Sequence, residues 1–263
     1  ASRVDAMKTL VGLNAAYSER RNFFRLRSLI TGWGYEWKNR NRLWQYKPLN
    51  IELYSLDTLA GLDTAFQTNP FLRTAFNTGS IVSQVLSFNV NYRSPNHPVQ
   101  TNNIRLSVEE AGAVAGRIKG LQDNIYQYLK FEAEFIKHFT FQKTEFALRA
   151  YGGVGYNYGK SPNGKTLPFY KQFIAGGPNS MRAWGLRQLG LGSSLTSDTA
   201  GTKDNAFRDR YGDMQLEMNF EYRYRLTSIG SMNLDGALFT DIGNIWNLKK
   251  DSTNPNSQFS FSR

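Results

Sequence analysis

Long stretches of two-residue alternation constrain this chain more than any other feature. Between Tyr128 and Phe139 most odd positions are apolar and most even positions are charged or polar. From Leu216 to Leu226 the apolar residues hold the even positions instead. A period of two places the two sets on opposite faces of a β-strand, whereas a helix needs a period of 3.6. These segments therefore predict strands with one apolar and one polar face.

The number and length of such segments limit the possible folds further. Clear alternation also covers 143–157, and rougher alternation runs through about 6–17, 23–38, 43–54, 80–92, 103–111 and 231–246, which gives about nine strands. Many exceed the roughly 5–6 residues typical of soluble sheets. Strands of about 10–15 residues with one apolar face match segments that cross a bilayer at a tilt. Near Leu29–Thr31 the pattern slips, which predicts a β-bulge.

The connections between the predicted strands are of two kinds. Short polar ones lie at about 40–42, 140–143 and 227–230, and long ones at about 55–79, 112–124 and 158–211. Short turns that alternate with long loops are typical of an outer-membrane β-barrel, with turns in the periplasm and loops outside. The alternative is a soluble β-sandwich or lipocalin-like barrel, in which the apolar faces would point inward.

Composition excludes several other classes of protein. No run approaches the roughly 18 apolar residues of a membrane-spanning helix, and the absence of cysteine excludes disulfides and thiolate metal sites. The net charge is +11, but the basic residues are scattered singly, so we expect no nucleic-acid partner. His138 shares a polar strand face with Glu134, and we interpret it as a lumen or surface residue. We therefore predict no catalytic site, no metal and no cofactor.

Two motifs occur in order, one in the longest loop and one in a strand downstream. The loop has an aromatic-rich lead, a glycine pair and a Ser-x-Arg-x-aromatic core, and the strand reads Phe-x-Asp-x-Gly-x-x-Trp. Their residues are Gly176, Gly177, Ser180, Arg182 and Trp184 in the loop, and Phe239, Asp241, Gly243 and Trp246 in the strand. Over about 143–246 the chain thus resembles the BamA/TamA superfamily of outer-membrane assembly factors.

The resemblance implies a specific architecture. It predicts a transmembrane antiparallel β-barrel in the bacterial outer membrane, with about nine strands of a probable sixteen in this chain, from about the fifth to the thirteenth. Residues 1–263 would form a partial barrel domain without a periplasmic domain. The loop at about 158–211 would be the sixth extracellular loop, which folds back into the barrel.

The resemblance also implies a loop latch. It singles out Glu221 and Asp241 as the acidic partners of Arg182. The family's usual glycine after the arginine is Ala183 here, which puts a close backbone approach at that point in question. The alternative is that Arg182 points to solvent and that the acids only line a lumen.

By the same resemblance, the expected function is not enzymatic. The protein would fold or insert other proteins into the outer membrane, without nucleotide or metal. Its partners would be the outer-membrane lipid bilayer, unfolded outer-membrane client proteins and accessory envelope proteins. The alternatives are a two-partner-type secretion pore that exports one dedicated protein, and an unrelated passive porin.

Overall fold

The computed structural model describes residues 6–68, 79–94, 98–119, 124–159, 167–194, 210–250 and 255–260. Nine strands form one sheet in which each strand pairs antiparallel with its neighbours along the chain. The strands are β1 (Ala6–Arg20), β2 (Phe24–Asn39), β3 (Arg42–Thr58), β4 (Ser80–Ser94), β5 (Val99–Ala111), β6 (Tyr128–Thr140), β7 (Thr144–Asn157), β8 (Met214–Ile229) and β9 (Met232–Trp246). The prediction of about nine long antiparallel strands is confirmed.

The connections keep the predicted asymmetry. Those after β3, β5 and β7 are long, and antiparallel order places all three on the same side of the sheet. The connection after β3 contains a helix, α1 (Ala60–Thr68), which the strand alternation does not indicate. Among the described residues, no helix has the length and apolar character needed to span a membrane.

The two faces of the sheet differ in what covers them. One face presents large apolar side chains that stay exposed, among them Leu53, Leu106, Phe131 and Ile242. The opposite face carries the polar set, and the described part of the connection between β7 and β8 packs on it. An apolar face left open beside a covered polar face is the arrangement expected of a strand wall in lipid. It is the reverse of the lipocalin-like alternative, in which the apolar face is enclosed.

Three aromatic rings show that the sheet is strongly curved. Phe24 at the start of β2 lies 5.9 Å from Phe169, and Phe169 lies 5.0 Å from Tyr211, just before β8. The rings of Phe24 and Tyr211 are therefore at most about 11 Å apart. In a flat sheet, strands spaced by about 4.8 Å would separate β2 and β8 by about 29 Å. The polar face is therefore concave, and we call it the concave face.

The bulge lies in a different strand from the one predicted. The pairing of β1 with β2 is continuous through Leu29–Thr31, so the bulge predicted there is wrong. The register instead shifts around Pro48 in β3, against both β2 and β4. Proline has no N–H to give to a ladder and is tolerated in strands chiefly at edges and bulges. After this point the inward-facing parity of β3 changes, so that Asn50 and Glu52 face the concave side.

Candidate functional site

Residues 167–194 and 210–213, which are described parts of the connection between β7 and β8, lie across the concave face, and we call them the crossing loop. Leu167 and Phe173 of this loop cover Gly155 and Gly153 of β7, where an added Cβ would collide with them. The absence of side chains on these strand glycines makes room for the loop. A buried apolar cluster joins loop and wall, and it comprises Ile81, Ala111, Tyr126, Tyr128, Leu167, Phe173, Ala175, Met181 and Ile245.

The glycine pair shapes the part of the loop that presents Arg182. Gly176 and Gly177 have φ angles of +106° and +93°, which residues other than glycine rarely adopt. The Gly176 N–H donates to Ser180 Oγ at 3.1 Å, and the Gly177 N–H donates to the Trp184 carbonyl at 2.8 Å. The pair thus closes a compact turn around Ser180–Trp184, with Arg182 at its centre.

The structure brings Arg182, Glu221 and Asp241 together. The backbone N–H and Nε of Arg182 donate to Asp241 Oδ2 at 3.0 and 2.9 Å, and Nη2 donates to Oδ1 at 2.6 Å. Nη1 donates to Glu221 Oε2. The guanidinium carbon also lies 3.9 Å from the ring centre of Phe239. Strand alternation places the two acids on the inward sides of β8 and β9, where a planar guanidinium can bridge them.

This cluster lies partly out of water. The side chains of Arg182, Glu221 and Asp241 are 21%, 18% and 6% exposed. Hydrogen bonds to Asp241 and Glu221 outweigh the effect of burial and raise the pKa of the Arg182 guanidinium above its ordinary value. The arginine therefore stays charged, and the acids hold it by hydrogen bonds as well as by charge.

A second network fixes the other side of the turn. Ser180 Oγ donates to Glu217 Oε1, and Asn219 Nδ2 donates to the Ser180 carbonyl at 2.7 Å and to Asp241 Oδ1 at 3.0 Å. Arg149 Nη1 donates to Glu217 Oε2 at 3.0 Å, and its Nε donates to Glu134 at 2.7 Å. The turn is thus joined to β6, β7, β8 and β9.

The two remaining residues of the strand motif make other contacts. Gly243 of β9 is in register with Glu217, and a Cβ there would lie 2.6 Å from the Leu216 carbonyl oxygen, so the glycine allows close approach. The Trp246 ring packs edge-on against Phe259 with centroids 5.1 Å apart.

Two further residues of the loop core, Ala183 and Trp184, are exposed. The side chain of Trp184 is half exposed, and only its backbone takes part in the turn. Ala183 is also exposed, so its methyl group meets no crowding at the position where the family has glycine.

Sequence reasoning missed Asn219 and assigned no partner to His138. Asn219 is one more polar residue on an alternating strand, and only its register opposite Asp241 reveals its bridging position. His138 Nδ1 lies 2.6 Å from Glu145 Oε1, whereas Glu134 accepts hydrogen bonds from Arg105 and Arg149. In the described part of the chain, no group of three or more histidine and acidic side chains could hold a metal ion.

Comparisons with known proteins concern the chain as a whole. The model of the Omp85 superfamily domain matches residues 27–262. The solved structure of CdiB from Escherichia coli is similar with a TM-score of 0.46 and 14% sequence identity. That match covers 92% of this chain and 39% of the CdiB chain. No curated protein matches this chain.

Proposed function

Because the chain belongs to the Omp85 superfamily, whose members are non-enzymatic barrels of the bacterial outer membrane, we propose that it works as an assembly factor. In this role it folds or inserts unfolded outer-membrane proteins beside its wall. The Arg182 latch, with Glu221 and Asp241, keeps the crossing loop on the concave face during that work.

The seated loop is the observation that supports this proposal. The loop shares a buried apolar cluster with the wall, and its turn is held by Asp241, Glu221 and Glu217. Export of a polypeptide through the lumen would require this loop to give up its contacts or leave a wide path beside it. Assembly along the wall requires neither, because a client strand can pair with a strand edge. A loop bound in this way therefore favours assembly over export.

The test is client folding in vesicles that carry the full-length protein. A urea-denatured small outer-membrane β-barrel is diluted onto them, and its folding rate is compared with that on empty vesicles. The proposal predicts faster folding, and it predicts that Arg182→Ala loses most of the acceleration.

The rival functions give different outcomes in the same preparation. A secretion pore would leave the client folding at the empty-vesicle rate and would carry a dedicated soluble protein to a protease-protected position. A passive porin would give large, steady conductance in a planar bilayer without affecting folding. Either result would replace the assembly proposal.

A further inference from the structure

The wall under the first part of the crossing loop presents two carboxylates to a single cation. Lys171 Nζ donates to Glu52 Oε1 of β3 at 2.8 Å, and to both oxygens of Glu109 of β5 at 2.9 and 3.0 Å. The side chains of Lys171, Glu52 and Glu109 are 14%, 7% and 11% exposed. Charges held this far from water are costly unless they are paired and hydrogen-bonded.

Neutral donors of the wall hold both carboxylates in place. Asn50 and Tyr54 donate to Glu52 at 2.7 Å each, and Ser83 and Tyr128 donate to Glu109 at 2.9 and 2.8 Å. These groups orient the acids but bring no positive charge. Two negative charges therefore face the loop, and Lys171 brings a positive charge to them.

The residues before Lys171 fix its backbone against the same part of the wall. The Tyr170 ring stacks on Tyr54 with centroids 3.3 Å apart, and its hydroxyl donates to the Gly79 carbonyl at 2.8 Å. Phe169 packs edge-on against Phe24 of β2. Burial alone would lower the pKa of the Lys171 ammonium, but Glu109 and Glu52 raise it above its ordinary value. The lysine thus enters this pocket as a cation.

We propose that Lys171 is a second anchor of the crossing loop, one that positions it through charge on β3 and β5 while Arg182 holds it on β8 and β9. Anchors on distant strands oppose lifting of the loop from either side. Loss of Lys171 would leave Glu52 and Glu109 facing each other without a cation, and their repulsion would favour release of the loop. The inference rests on the proposed function only for the reason why the loop must stay on the concave face.

A cysteine at Ala175 can report whether the loop lifts. Ala175 is fully buried between the two anchors, and the chain has no cysteine of its own. In the full-length protein, with any other cysteine replaced, a polar thiol reagent labels Ala175→Cys only when the loop opens. The labelling rate is measured in detergent micelles without any client.

The variants separate charge from packing. We expect Lys171→Met, which keeps the length of the side chain, to raise the labelling rate by more than about tenfold. Lys171→Arg should stay near the rate of the parent. Adding Glu52→Gln and Glu109→Gln to Lys171→Met should bring the rate back down, because no unpaired charge is then left in the pocket.

Two results would overturn the anchor. One is a Lys171→Met variant that labels at the parent rate. The other is fast labelling that the two glutamine substitutions do not slow, since that would mean that Lys171 acts by packing alone. Client folding is measured separately, so a parent protein whose variants label as expected but which does not accelerate folding would refute the proposed function and leave the anchor standing.

Discussion

Replacement of Arg182 by alanine is the sharpest test of the latch. The change removes two side-chain hydrogen bonds to Asp241, one to Glu221 and the contact with the Phe239 ring. A third hydrogen bond to Asp241 comes from the backbone N–H, and alanine keeps it. Two carboxylates then remain close together without their shared cation, so they repel or take up a proton.

The size of the effect follows from burial. Breaking a buried ion pair typically costs about 3–5 kcal/mol, and an exposed pair is worth about 0–1 kcal/mol. Because Arg182 is one-fifth exposed and Asp241 only 6% exposed, we expect about 3 kcal/mol for Arg182→Ala, at the lower end of the buried range. Arg182→Lys should restore only part of this stability, since a point charge cannot bridge both acids as a planar fork does.

The assay is urea-induced unfolding of the full-length protein in detergent micelles, followed by the band shift of folded barrels on gels. Arg27→Ala is the matched control, because Arg27 and Asp57 form an ion pair whose side chains are 62% and 44% exposed. This control should lose no more than about 1 kcal/mol.

A double-mutant cycle isolates the interaction itself. Asp241→Asn added to Arg182→Ala should cost little more than Arg182→Ala alone, because both changes remove the same contacts. A coupling of about 2 kcal/mol is expected for residues in one such network. Additive effects, with each single change as mild as Arg27→Ala, would refute the latch.

Three further predictions concern the wall, the loop turn and a buried acid. Phe135→Arg on the apolar face of β6 should cost about 2–4 kcal/mol in a refolding assay in bilayers, while Phe135→Leu should be mild; equal tolerance would argue against a lipid-facing wall. Gly176→Ala should destabilise the barrel far more than Gly12→Ala, because Gly176 has a positive φ and a Cβ added there would collide with a carbonyl oxygen, whereas a Cβ added at Gly12 would meet no atom within 4 Å. Similar urea midpoints for the two variants would contradict this prediction. Burial raises the pKa of the Asp213 carboxyl from 3.8 to about 6, so the folded state binds the carboxyl proton more tightly than the unfolded state does, and the stability that this gives is lost as the pH rises from about 4 to 6. The difference in unfolding free energy between the parent and Asp213→Asn should therefore change by about 3 kcal/mol over that range, and a constant difference would refute the prediction.

Much of the wall could be read from the sequence because strand geometry is local. Alternation with a period of two fixes which side chains share a face, whatever the rest of the chain does. The nine strands and their long-loop asymmetry follow from it, and the family follows from the order of two motifs. The bulge lies at Pro48 and not at Leu29–Thr31, because a missing N–H interrupts the ladder whereas a slip in apolar spacing does not.

The contacts of the crossing loop were not local, and only the tertiary structure decided them. The family resemblance suggested acids for Arg182, but no pattern indicated that Asn219 links Asp241 to the Ser180 carbonyl or that Lys171 pairs with Glu52 and Glu109. Such pairs depend on strand register and on the curvature of the sheet, which bring together residues as far apart in the chain as Glu52 and Lys171. Alternation determines the face of a strand that a side chain occupies, whereas its partner in the crossing loop is set by how the sheet curves around that loop.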